Sequence, residues 1–185
     1  GKNERQGPDI ITTLECLDGG YDYLTAFTAR TVKGGRVAVE AALSDMTNTG
    51  TGKITSRPTL TRPKVLVGNS AKLIDDTIGP DETWFIDDEK LYIIKGHEVL
   101  SRFIPIVSAE TGLISTPTRE AKLVSFQALM NPSIKIGHRC QLISTTAPHL
   151  DGIYKIRDIN FSGDNYGDEW SMTCTAMLSG ISVVI

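Results

Sequence analysis

The chain has 185 residues, 40% of them hydrophobic and 22% charged, with a formal net charge of -3. That length can bury a core as one domain or two small ones, and the balance excludes a basic nucleic-acid-binding footprint. It holds no apolar run of the ~18 residues that cross a bilayer, and its 17 glycines and 8 prolines suit a turn-rich β protein. Cys16, Cys140 and Cys174 lie far apart with no C-x-x-C pair, which predicts reduced thiols rather than a disulfide framework.

The first dozen residues are polar and read as a frayed start. Residues 9–17 alternate, with Ile11, Leu14 and Cys16 among Thr12, Thr13 and Glu15, which predicts a strand ended by Asp18-Gly19-Gly20. Residues 21–31 carry Leu24 and Phe27, with Val32 following, in a Thr-rich context, and predict a second strand of unfixed register. Two strands cannot bury a face alone, so they must pair with the C-terminal sheet, another subunit or residues upstream.

Beyond Gly34-Gly35, the i, i+4, i+7 spacing of Val39, Leu43 and Met46, with Ala38, Ala41 and Ala42 between them, predicts a short helix. Residues 47–61 read as an exposed loop. Residues 63–68 form a short strand, and Ser70 caps a helix over 71–78 that Gly79-Pro80 stops. Residues 83–86 and 90–94 flank Asp87-Asp88-Glu89 as a hairpin with an acidic tip. From Val99 the chain turns β again through Phe103, Ile104, Ile106 and Val107, a turn at Ala109-Glu110-Thr111-Gly112, and Leu113-Ile114.

Residues 121–178 dominate the pattern. Alternation over 122–130 breaks at Asn131-Pro132, where proline cannot donate to a ladder. It resumes at Ile134-Lys135-Ile136, turns at Gly137 and continues through 139–143. Residues 152–161 and 169–178 read as two further strands around a turn at 162–168. These amphipathic strands predict an antiparallel sheet curled into a small barrel. The fold class is mainly β (α+β), with a small inserted α/β module over residues 36–95, between 1–35 and 96–185.

Chemical motifs are sparse. Gly50-Thr51-Gly52-Lys53 hints at a phosphate loop, but the pattern needs glycine where Thr47 stands and Ser or Thr where Ile54 stands. Asp164, Asn165 and Asp168 lack calcium-loop spacing and read as a turn. His97, His138 and His149 are scattered; His138 and Cys140 share a strand face, yet nothing supplies a second ligand pair. Asp87, Asp88 and Glu89 are paired carboxylates only in sequence, solvated at a hairpin tip. Trp84 and Trp170 each sit beside an acidic turn and read as packing residues. No catalytic constellation, cofactor or metal is expected.

Several segments together resemble the baseplate hub proteins of long-tailed phages, including the tail protein of Mu-like phages. They are Cys16-Leu17-Asp18-Gly19, Arg62-Pro63-Lys64-Val65-Leu66-Val67-Gly68, Trp84-Phe85-Ile86-Asp87 with Leu91-Tyr92, and Thr111-Gly112-Leu113-Ile114-Ser115-Thr116-Pro117. Ala128-Leu129-Met130-Asn131-Pro132, Asp151-Gly152-Ile153-Tyr154-Lys155-Ile156 and the stretch from Phe161 through Gly163, Asp164 and Gly167 to Trp170 complete the set. Such hubs are usually longer, with an N-terminal barrel that this chain enters only at its end, which marks it as a fragment or a short member.

The resemblance implies a structural virion protein of the tail baseplate, assembled in the host cytoplasm without a membrane, with tube-type barrels. It implies a homotrimer whose ring continues the tail tube, seats the central spike and meets other baseplate proteins. Genome DNA would pass through the lumen without specific binding, and a weakly acidic wall suits that passage. A rival reading rests on residues 63–94, whose strand, helix and hairpin resemble a LysM-like unit and imply a peptidoglycan-binding module.

Overall fold

The polar N-terminus is zipped rather than frayed: β1 (Lys2–Gln6) and β2 (Asp9–Thr13) pair antiparallel around Gly7-Pro8. The computed structural model describes residues 1–33, 35–55, 62–178 and 182–183. It divides into two units, Gly1–Pro80 with Trp84–Ile93, and Asp81–Thr83 with Ile94–Ile185.

In the first unit, the stretch expected to be one strand is α1 (Gly20–Thr25) followed by β3 (Phe27–Val32). Gly19 initiates the helix at φ 64, and a Cβ there would lie 2.3 Å from Ile86 Cδ1, so only glycine fits this turn. Then come α2 (Gly35–Ser44), β4 (Gly50–Ile54), β5 (Lys64–Asn69), α3 (Ser70–Asp75), β6 (Glu82–Asp87) and β7 (Lys90–Lys95). β3 and β5 form a two-stranded antiparallel ribbon, which gives the N-terminal strand a partner within its own unit.

α2 buries the predicted face: Val39, Leu43 and Met46 join Ile74, Ile86, Leu91 and Ile93 in one core cluster, while Ala38 and Ala41 pack with Val32 and Leu66. The expected loop over 47–61 contains β4, which runs parallel to β7 in a sheet ordered β4-β7-β6; residues 56–61 and Gly34 lie outside the described residues. Glycine hid this strand from the sequence. A Cβ on Gly52 would stand 2.7 Å from the Leu91 carbonyl oxygen, so the close approach excludes any other residue. Asn69, not Ser70, caps α3, its Oδ1 accepting from Lys72 N–H at 3.1 Å. Ser70 is instead buried, its hydroxyl 2.8 Å from that of Thr28.

The second unit contains β8 (Glu98–Val99), β9 (Ile106–Val107), β10 (Thr118–Glu120), β11 (Leu123–Leu129), β12 (Arg139–Leu142), β13 (Gly152–Gly163), β14 (Trp170–Leu178) and β15 (Ser182–Val183). Six of them make one sheet in the order β10-β11-β14-β13-β12-β9. Antiparallel pairing joins β10 through β12 along that order, and β9 adds in parallel. A register shift between Ile156 and Asp158 bulges β13 and bends the sheet.

The expected barrel does not close among the described residues: β10 and β9 end the sheet and are too short to zip together. Residues 134–136 form no strand, because Pro132 interrupts the ladder and Ile134 tucks into a turn, N–H to the Asn131 carbonyl at 3.1 Å. The core lies on one sheet face, with Val124, Phe126, Cys140, Leu142, Ile156, Met172 and Cys174 fully covered.

Candidate functional site

The structure scatters the residues singled out for chemistry. Gly50–Ile54 is a strand whose first N–H donates to the Glu89 carbonyl at 2.7 Å, so its amides serve a sheet rather than a phosphate cradle. Asp164 Oδ1 accepts from Tyr166 N–H at 2.8 Å, closing an Asx turn. His97 precedes β8, His138 precedes β12, and His149 lies in the short 3-10 turn Pro148–Leu150. Among the described residues no group of three or more His, Cys, Asp or Glu could hold a metal ion.

Asp88 and Glu89 form the hairpin turn with positive φ, and Asp88 N–H donates to Asp18 Oδ2 at 2.7 Å. An open polar cleft of about 490 Å³ lies between this turn and residues 47–50. It lacks the apolar enclosure of a small-molecule site. Trp84 stacks on Tyr23 at 5.7 Å and donates its indole N–H to Asp75 Oδ1 at 2.6 Å. Tyr23 thus takes one face of the indole, and the ring works as a packing residue on that side. Trp170 departs from the packing expectation: it is 52% exposed, lying against Gly163.

Two buried polar clusters organise the units. Asp22 on α1 accepts from Asn48 N–H, Thr49 Oγ1 and Asn48 Nδ2 at 2.7, 2.8 and 3.0 Å, pinning the turn after α2. Nothing in the sequence marks it, since it is one acid between two tyrosines. Lys155 on β13 donates to the carbonyls of Lys95 and Gly96, each at 3.1 Å, and stands opposite Arg139 on β12. Arg139 is itself buried, and its Nε finds no hydrogen-bond partner among the described residues.

Burial lowers the Lys155 amine from 10.5 to about 8, against a small opposing pull from Glu98. The folded state therefore binds fewer protons than the unfolded chain between pH 8 and 10.5, so stability rises with pH across that window. The Cys140 and Cys174 thiols, raised by burial from 9.0 to about 12, oppose this above pH 9. Denaturant titrations should show a rise between pH 8 and 9 that Lys155→Met abolishes; a flat wild-type profile contradicts the assignment.

The same burial makes two thiols inert. Native protein should take up one equivalent of iodoacetamide, at the exposed Cys16, while Cys140 and Cys174 react only after unfolding. Mass spectrometry of alkylated peptides checks this, and rapid native labelling of Cys174 would refute it.

The outward surfaces are a different matter. On the β3–β5 ribbon the register sets Ala29 opposite Val67 and Thr31 opposite Val65, and Phe27, Val65 and Val67 are all exposed. Both outer edges of the ribbon are unpaired by any strand among the described residues. In the second unit, Phe161 and Trp170 continue the core face of the sheet beyond its core, with Met130 at 37% exposure and Tyr166 at 91%. Aromatic and Met side chains left uncovered beside free strand edges are the composition of interface cores.

The sequence profile of the family described as baseplate hub gp41 matches residues 3–176, and the chain belongs to that family. It is a structural component of the phage tail baseplate, and the family implies a non-enzymatic role in assembly with other baseplate components. No curated protein matches the chain. No helix among the described residues is long and apolar enough to cross a membrane.

Proposed function

We propose that the chain acts as a homotrimeric hub, three copies closing a ring that joins the tail tube to the central spike. Residues 96–185 supply the tube-type wall, residues 1–35 supply strands to a second, tube-like layer, and the module over 36–95 faces other baseplate proteins. Genome DNA passes through the lumen unbound, past a chain whose net charge of -3 repels phosphate. Assembly takes place in the host cytoplasm.

The carrying observation is the set of strand edges at β3, β5, β9 and β10 that no strand among the described residues pairs. A barrel wall that is incomplete in one copy is completed by its neighbours, which removes exposed edges altogether. Electron microscopy of purified particles tests this. A threefold ring with an axial hole wide enough for duplex DNA is the expected image; a twofold particle or a hole lined by lysine and arginine would refute it.

A further inference from the structure

The six-stranded sheet leaves two stretches of edge open. β12 covers β13 only as far as Ile156, whose N–H donates to the His138 carbonyl at 2.8 Å. Past the bulge, residues 158–163 pair with β14 on one side and with no described strand on the other. At the far end of the sheet, β10 pairs with β11 alone. The β9 edge is closed within its own chain: the outward Ile106 carbonyl accepts from Thr111 Oγ1 at 2.9 Å. Amides left open on exposed strands such as β10 and the far half of β13 are templates for another strand.

We propose that the β10 edge of one copy pairs antiparallel with residues 158–163 of the next, so that the sheet runs on from subunit to subunit. Three antiparallel pairings separate β10 from β13, so the two strands run in opposite senses. Rotation about a ring axis keeps those senses, and the two edges therefore meet antiparallel. Side-chain faces then select the register. Arg119 stands opposite the core residue Val124 and Phe161 opposite the core residue Met172, so both lie on the core face of the sheet. Setting Arg119 against Phe161 lays a guanidinium on an exposed ring, with Thr118 beside Ser162 and Glu120 beside Asn160. A slip of one residue turns Arg119 to the wrong face. A slip of two sets Glu120 against Asp158 in one direction and carries Thr118 past Gly163, the end of β13, in the other. The inference rests on the ring reading and names one joint that builds it.

Cross-linking tests the register. In a Cys16→Ser background, which removes the exposed thiol, Thr118→Cys and Ser162→Cys place two thiols directly opposite each other across the joint. Within one chain they lie three strand spacings apart, about 14 Å, beyond the reach of a disulfide. Mild oxidation of the double variant should give a covalent species of three chains, and an equimolar mixture of the two single variants a species of two. Neither single variant alone should cross-link, and moving the second cysteine to Asn160 should slow the reaction on the order of 10-fold or more. Thr118, Asn160 and Ser162 are all exposed, so folding should survive, which circular dichroism verifies. If wild-type protein sediments as three chains while the double variant forms no such species, or links as fast through residue 160, this joint is wrong although the ring survives. A wild-type protein that is itself a single chain overturns both.

Discussion

Phe126→Ala should lower the unfolding free energy of the C-terminal unit by about 3–5 kcal/mol. The ring sits on β11 opposite Cys174 of β14, is 2% exposed, and lies in a cluster with Val124, Leu142, Ile156 and Met172. Truncation removes the apolar contacts and leaves a void that strands locked by ladders on both sides of β11 cannot collapse to fill. Domains of this kind are stable by roughly 5–15 kcal/mol, so the loss is a large share. Calorimetry should show the transition falling by about 10 °C or more. A change under about 1 kcal/mol would mean that the Phe126 site is not a packed core.

Asp22→Ala should cost about 3–4 kcal/mol, although the residue sits in the first turn of a helix only six residues long. Its carboxylate takes three hydrogen bonds, and Asp22 and Thr49 are both buried. Alanine leaves the Asn48 amide and the Thr49 hydroxyl without an acceptor, and an unsatisfied buried donor costs more than a made bond returns. Asp22→Asn should lose less, because one oxygen remains while its NH2 group faces the donors. Urea denaturation of the two variants gives the order; equal and small losses would show that the cluster contributes little. Hydrogen exchange at Asn48 N–H should quicken in both.

Elements with one strong period were legible in the sequence. Val39, Leu43 and Met46 marked α2, and the alternation over 152–161 and 169–178 marked β13 and β14 to within two residues at either end. What misled were residues whose role is set by distant contacts. Gly52 looks like a loop residue, yet it permits β4 to approach β7 closely. Ser70 resembles a cap, but Thr28 draws it inward and Asn69 takes the cap. Ile134 and Ile136 keep a strand spacing on a backbone that Pro132 has already turned.

The family was legible because its motifs are spread over the matched length. Surface roles were less so. Exposed apolar residues such as Ile10, Val65 and Val67 look in sequence like core positions, and only their accessibility shows that the described residues leave them uncovered. Barrel closure is another such property: alternation specifies which face is buried and says nothing about which edge a strand finds.

Sedimentation equilibrium of the purified chain tests most directly whether its free edges are met by its own copies. A mass three times the 20.1 kDa of one chain is expected, held on dilution into the low micromolar range. A species of one chain at every concentration, with Val65 and Val67 still exposed, would contradict it.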